Sequence, residues 1–326
     1  MIAIRGRAEA LPLFRSSLSG VKRKMQSGLI FDIKKYAIND GPGIRMTIFF
    51  KGCPLHCAWC HNPESISTRV QKMYNRDKCI GCGWCINGCP QGICELSRDG
   101  VNTNLAYCTG CGKCAEGCPT LATEMSGRIL TVDEAVALAE KERTFFDESN
   151  GGITLSGGEP LFQPEFAMAL LDAFRTRGIH CVVDTTGFLN TATLLDTAKR
   201  TNLFLYDLKL MDAEKHKHWT GVNNELILFN LKQLAATGAE INIRIPLIRG
   251  VNDDDANIEQ TASFVAALNG PKKQVNLLPY HNIMANKHIR LGNDFDEMAM
   301  DEPRKTDMNR VIGIFDHFGI VARVGG

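Results

Sequence analysis

The chain has 326 residues, 44% of them apolar, and a formal net charge of +1, enough for one large core with a smaller satellite. No apolar run is long enough to span a membrane and no signal-peptide pattern opens the chain, so a cytoplasmic protein is expected. The positive charge sits in a tail rather than a body: residues 1–25 carry Arg5, Arg7, Arg15, Lys22, Arg23 and Lys24 against Glu9, which argues against nucleic-acid binding. Of 13 cysteines, all but Cys94 and Cys181 fall into three tight clusters, a spacing that in a reducing compartment indicates metal binding rather than disulfides.

Residues 1–27 are expected to be a disordered basic extension. Residues 28–38 and 44–51 follow as strands, the second apolar on both faces as in a buried parallel strand. Asp40-Gly41-Pro42-Gly43 is a turn between them. The second strand delivers Cys53-x3-Cys57-x2-Cys60, with Trp59 and His61 in the same loop. Three thiolates at this spacing can hold three irons of a [4Fe-4S] cube and leave the fourth iron open to a substrate. The alternatives are a disulfide or a zinc site, for which His61, adjacent to Cys60, is a poorly placed fourth ligand.

Next come Cys79-x2-Cys82-x2-Cys85-x3-Cys89-Pro90 and Cys108-x2-Cys111-x2-Cys114-x3-Cys118-Pro119. The doubled run resembles the bacterial two-cluster ferredoxin pattern, in which the fourth cysteine of each run serves the other cluster. That arrangement implies Cys79, Cys82, Cys85 and Cys118 on one cube and Cys108, Cys111, Cys114 and Cys89 on the other. Residues 75–122 thus form an expected insertion between 28–74 and 123–326.

A helix with a capping box at Thr131 is expected to run to about Ser149. Strand and helix then alternate: a strand into Gly157-Gly158-Glu159, a helix over Phe166–Arg177, and a strand from Ile179 ending at Asp184-Thr185-Thr186-Gly187. A helix from Thr193 to Arg200 and a strand from Leu203 lead into Asp207-Leu208-Lys209; His216 and His218 fall in an expected exposed helix and loop. A helix over Asn224–Thr237, the strand Ile241–Pro246 with Arg244 turned inward, a helix over 254–268 and the strand Val275–His281 follow. A helix over Asp301–Asp316 and a closing strand at Gly319–Ala322 end the chain. About six β/α units suit a partial (β/α)6 barrel rather than a closed eightfold one.

Taken as a set, the Asp40-Gly41-Pro42-Gly43-Ile44-Arg45 turn, the Cys53 loop, Gly157-Gly158-Glu159, Asp207-Leu208-Lys209 and Leu277-Leu278-Pro279-Tyr280-His281 resemble the radical S-adenosylmethionine (SAM) enzymes. Within them the likeness is to the activating enzymes of glycyl radical enzymes. The resemblance implies that the open iron binds SAM, whose reductive cleavage gives methionine and a 5'-deoxyadenosyl radical that takes hydrogen from a glycine of a partner enzyme.

It further implies SAM contacts from Trp59, Cys60, His61, Gly157, Gly158, Glu159, Asp184, Asp207, Leu208, Lys209, Arg244 and His281. Asp40 and His61 would face the peptide substrate. A monovalent cation would sit among Asp184, Thr185, Asp207 and the Leu205 carbonyl. Thr186 stands where the family usually has Asn. Three [4Fe-4S] clusters are then expected, two of them auxiliary and relaying electrons from flavodoxin or ferredoxin. The likeness favours a partner of the dehydratase, lyase or decarboxylase kind. The competing functions are another radical SAM oxidoreductase acting on a small molecule, the activase of an anaerobic ribonucleotide reductase, and a ferredoxin-type electron carrier. The carrier leaves the three-cysteine loop unexplained.

Overall fold

The computed structural model of the protein describes residues 26–98, 100–293 and 300–325. The expected disordered extension lies outside them apart from Gln26 and Ser27, and Ser27 already belongs to the first strand.

Strand β1 (Ser27–Ala37) pairs antiparallel with β2 (Arg45–Phe50), Ile30 opposite Phe50 and Ala37 opposite Arg45. The chain then leaves the sheet through β3 (Gln71–Tyr74), α1 (Trp84–Asn87), β4 (Cys94–Ser97), β5 (Gly100–Thr103), α2 (Lys113–Glu116) and β6 (Thr123–Ser126). An antiparallel β3–β6 ladder joins the two ends of this excursion, and β4 pairs with β5 inside it. It returns as β7 (Arg128–Thr131), antiparallel to β1.

The alternating part runs through α3 (Val132–Lys141), α4 (Arg143–Ser149), β8 (Gly152–Gly157), α5 (Pro164–Arg175), β9 (His180–Thr185), α6 (Thr191–Ala198) and β10 (Leu203–Asp207). It continues with α7 (Ala213–Thr220), α8 (Glu225–Ala236), β11 (Ile241–Leu247), α9 (Asp255–Ala266), β12 (Gln274–Pro279), α10 (Ala285–Arg290), α11 (Lys305–His317) and β13 (Ala322–Val324).

One sheet of 9 strands results, in the order β13-β12-β11-β10-β9-β8-β2-β1-β7. Every neighbour from β2 to β13 is parallel. The carboxyl ends of these strands therefore share one rim, where ligands gather in parallel α/β folds. The edge strands β7 and β13 do not pair with each other, so the sheet stays open. No helix among the described residues is long and apolar enough to cross a membrane.

The helix-facing side is apolar. In α5, Phe166, Leu170 and Phe174 recur on one buried face, and each such side chain contributes about 1.5–3 kcal/mol by leaving water. The other side of the sheet is buried and partly polar. Arg45, with no exposure, donates to the Thr154 hydroxyl at 2.7 Å and to the carbonyls of Pro42, Ile153 and His180 at 2.9, 2.6 and 3.0 Å. Burial lowers its pKa to about 10, and these bonds offset part of that cost.

Several expected elements shift. The helix expected from Thr131 to Ser149 keeps its capping box with Glu134 but breaks at Glu142. The Glu142 side chain turns inward to accept from Lys35 at 2.6 Å, a partner far away in sequence. His216, expected in an exposed segment, is buried and bonds the Val222 carbonyl at 2.6 Å, closing the end of α7. Asp301, expected to open the last helix, instead bridges to Arg249, and the helix starts at Lys305.

Candidate functional site

Strand β2 runs into Lys51, Gly52 and Cys53 at the rim. Gly52 needs its positive φ of 97°, because it turns the chain so that its amide meets the Ser65 carbonyl at 2.7 Å. The Cys53 amide meets the Ile66 carbonyl at 3.1 Å. The far side of the loop is splinted by α7, with the His56 and Ala58 amides on the Thr220 and Trp219 carbonyls at 2.8 and 3.0 Å. Trp59 anchors the loop in a small apolar cluster with Leu210, Ile248 and Tyr280.

Above the rim lies a cavity of about 250 Å³, into which Cys53, Cys57 and Cys60 all open. Burial pushes the Cys60 thiol up to about 12, with the Cys57 sulfur adding to the shift. It also raises Cys53 and Cys57, while Lys209 pulls Cys57 back. Three desolvated thiols sharing one space gain by exchanging their protons for a cationic, thiophilic group. The donor set thus fits an iron-sulfur cluster with one open corner.

The opposite wall is formed by Gly157 and Gly158 at the end of β8. A Cβ on Gly157, whose φ is 109°, would stand 2.5 Å from the Phe50 amide nitrogen, and one on Gly158 would stand 2.5 Å from the Gly52 carbonyl. Glu159 turns the other way. Its unexposed carboxylate accepts from the Thr185 hydroxyl at 2.9 Å, the Thr186 amide at 2.8 Å and the Thr186 hydroxyl at 2.7 Å. Burial raises its pKa to about 7, against these bonds. Glu159 therefore ties the end of β8 to the end of β9 from beneath the cavity.

Charged residues form the floor. Asp184 accepts from the Ser156 hydroxyl at 2.6 Å and from Arg244 at 3.2 Å, and burial raises its carboxyl to about 6. Lys209 lies 2.6 Å from Asp207. Burial by itself would lower the Lys209 ammonium, but Asp207 and the Cys57 sulfur outweigh it and the net shift is upward. Asp40 and His61 line the cavity too. The Asp40 carboxylate accepts from Thr47 at 2.8 Å, and burial lowers the His61 ring.

Besides Glu159, two further residues named as SAM contacts in the sequence analysis stand apart from the cavity. The Leu208 side chain joins the core while its amide bonds the Arg244 carbonyl at 2.9 Å. The His281 side chain is 52% exposed and points to Glu302 at 3.6 Å. Its neighbour Tyr280, overlooked in the sequence, is buried and lines the cavity. Strand alternation through β12 would have separated the two.

The two four-cysteine runs fold alike. Cys79 and Cys108 each end a short turn of 3-10 helix, and Gly83 and Gly112, at φ 75° and 82°, each open a single helical turn. Cys79, Cys82, Cys85 and Cys118 line one cavity; Cys89, Cys108, Cys111 and Cys114 line another, with Cys94 beside them. Among the described residues no three His, Cys, Asp or Glu side chains form a ready-made metal cage, so the grouping is by shared cavity.

Helix α10 spans from this excursion to the Cys53 loop. Lys287 donates to Glu64 at 2.7 Å, Asn62 at 2.8 Å and the His61 carbonyl at 3.2 Å, and the His288 ring bonds the Cys60 backbone. One turn on, Arg290 pairs with Glu124 of β6.

The family model of the radical SAM superfamily matches residues 47–262. The chain is 42% identical over 301 residues to the trans-4-hydroxy-L-proline dehydratase activating enzyme of Clostridioides difficile, covering 91% of this chain and 99% of that protein. It is 38% identical over 291 residues to the choline trimethylamine-lyase activating enzyme of Oleidesulfovibrio alaskensis, covering 88% and 94%. In fold it is similar to a radical SAM methyltransferase from Sphaerobacter thermophilus, with a TM-score of 0.51 at 17% identity over 92% of this chain and 77% of that one. With its parallel sheet and its three-cysteine loop at the rim, the chain belongs to the radical SAM superfamily, among the activating enzymes of glycyl radical enzymes.

Proposed function

We propose that Cys53, Cys57 and Cys60 hold a [4Fe-4S] cluster on which SAM binds, and that the chain activates a glycyl radical enzyme of the dehydratase, lyase or decarboxylase kind. The observation that carries this reading is the single cavity shared by three thiols, a Gly-Gly wall and a floor of paired charges. When bound, the cluster supplies an electron that splits SAM into methionine and a 5'-deoxyadenosyl radical, which takes hydrogen from a glycine of the partner.

The chain's own part is to bind, orient and exclude water. Gly157 and Gly158 let the methionyl end approach the backbone, and Arg244 offers its guanidinium to a carboxylate. Asp207 and Lys209 lie along the cofactor, with Leu208 contributing through its backbone. Trp59 and His61 close the loop side, and His281 stands at the outer edge. Glu159 acts from below by fixing the turn. Leu55, Ile248 and Leu278 form an apolar wall that keeps water out. No side chain needs to serve as acid, base or nucleophile.

Two auxiliary [4Fe-4S] clusters in a ferredoxin-like insertion over residues 75–122 extend the proposal. Its support is the partition of eight cysteines between two cavities. Their role is to pass electrons from flavodoxin or ferredoxin, in the reducing cytoplasm that exposed thiolate ligands require. A monovalent cation among Asp184, Thr185, Asp207 and the Leu205 carbonyl requires Asp184 to loosen its pairing with Arg244 and Thr185 its bond to Glu159.

Anaerobically reconstituted protein given SAM and dithionite should form methionine and 5'-deoxyadenosine in equal amounts. With a candidate partner it should also give a glycyl-radical doublet by electron paramagnetic resonance (EPR). Full iron content without SAM cleavage overturns the reading.

A further inference from the structure

Lys72 lies in β3 with 3% of its surface exposed, and it lines the cavity that holds Cys89, Cys108, Cys111 and Cys114. Its ammonium donates to the Thr103 hydroxyl at 2.7 Å and to the Cys94 sulfur at 3.5 Å. Among the described residues no carboxylate pairs with it, whereas buried Glu142 and half-buried Asp184 each have a cation. A buried ammonium with only neutral partners is costly. The Cys94 sulfur it meets packs in one buried cluster with Cys85 of one set and Cys114 of the other.

A cube bound by four thiolates is an anion, and reduction makes it more negative. We propose that Lys72 is the shared counterion of the two auxiliary clusters and holds the reduction potentials of both up. This rests on the assignment of the eight cysteines to two clusters, and it gives Lys72 a tuning role with no contact to SAM or partner. It also accounts for Cys94, which turns its sulfur toward this ammonium and leaves the ligand sets at four each. Net charge and hydrogen bonds near the cluster are the protein's main levers on potential.

The test is an EPR-monitored redox titration of the full anaerobic chain, with iron and sulfide counted for each sample. In Lys72→Met both auxiliary midpoints should fall by at least about 59 mV, the tenfold shift of a one-electron equilibrium, while the SAM-site midpoint stays. Lys72→Arg keeps the charge, Thr103→Val removes only the hydroxyl partner, and both should titrate like wild type.

If Lys72→Met loses auxiliary iron, Lys72→Gln is titrated in its place. Should neither neutral variant hold that iron while Lys72→Arg does, the charge itself is required and the proposal stands. Unmoved midpoints in a fully loaded neutral variant overturn this proposal alone, as does loss of iron in Lys72→Arg. Wild-type protein with iron for one cluster overturns the ferredoxin-like reading and this proposal with it.

Discussion

Glu159 and Thr186 are joined twice, the Thr186 amide and hydroxyl both donating to one carboxylate oxygen of Glu159 at 2.8 and 2.7 Å. The pair links the turn after β8 to the turn after β9, and so sets the spacing of two walls of the cavity. Burial raises the Glu159 carboxyl to about 7 in the fold, above its ordinary 4.5. The folded state therefore binds more protons than the unfolded one between these values, and the group's contribution to stability, full below about 4.5, is lost as pH rises through 7. The span corresponds to about 3 kcal/mol. Urea unfolding of the anaerobic protein at pH 5, 6 and 7 should show this decline in wild type and a flatter profile in Glu159→Gln.

Replacing Cys57 with Ala should remove about one third of the iron, the share of one cube in three, and abolish formation of 5'-deoxyadenosine. Retention of SAM cleavage in a variant with that iron loss would contradict the assignment of the loop.

Arg244 neutralises the half-buried Asp184, and desolvation already raises that carboxyl to about 6. Arg244→Ala leaves Asp184 unpaired and removes the cation proposed for the SAM carboxylate. SAM affinity measured by calorimetry should fall at least about tenfold, roughly 1.4 kcal/mol. Arg244→Ala/Asp184→Asn should recover stability but not affinity.

Gly157→Ala combines a left-handed backbone, φ 109°, with a Cβ 2.5 Å from the Phe50 amide nitrogen. The strand pairing of β2 and β8 must open to accept it. A loss of about 2 kcal/mol or more in unfolding free energy is expected, together with weaker SAM binding.

Among the described residues Lys287 alone forms an ion pair with the buried Glu64, whose second carboxylate oxygen has no hydrogen-bond partner there. Lys287→Met should therefore cost more stability than the double variant Lys287→Met/Glu64→Gln, in which no buried charge is orphaned. A double-mutant cycle by thermal unfolding checks the sign.

The strands that carry the site were legible because each is a short apolar run ending in a distinctive turn: β2 into Cys53, β8 into Gly157, β10 into Asp207. Both faces of the sheet are covered, so hydrophobic continuity marks them. What stayed hidden depends on partners distant in sequence. The inward turn of Glu159 is set by Thr185 and Thr186 at the end of another strand, and the break at Glu142 by Lys35. Tyr280 was overshadowed by its neighbour His281, although period-two alternation separates them. Helix α10 is short and polar and offers no periodic stripe to read.

That same helix has a mechanical consequence. With Lys287 on the cysteine loop and Arg290 on β6, α10 acts as a strut between the two regions, and Gly292 beyond it lies against the Leu105 side chain. Tunnelling falls steeply with separation. In the proposed relay, an electron crossing from one region to the other would meet a gap spanned by this strut.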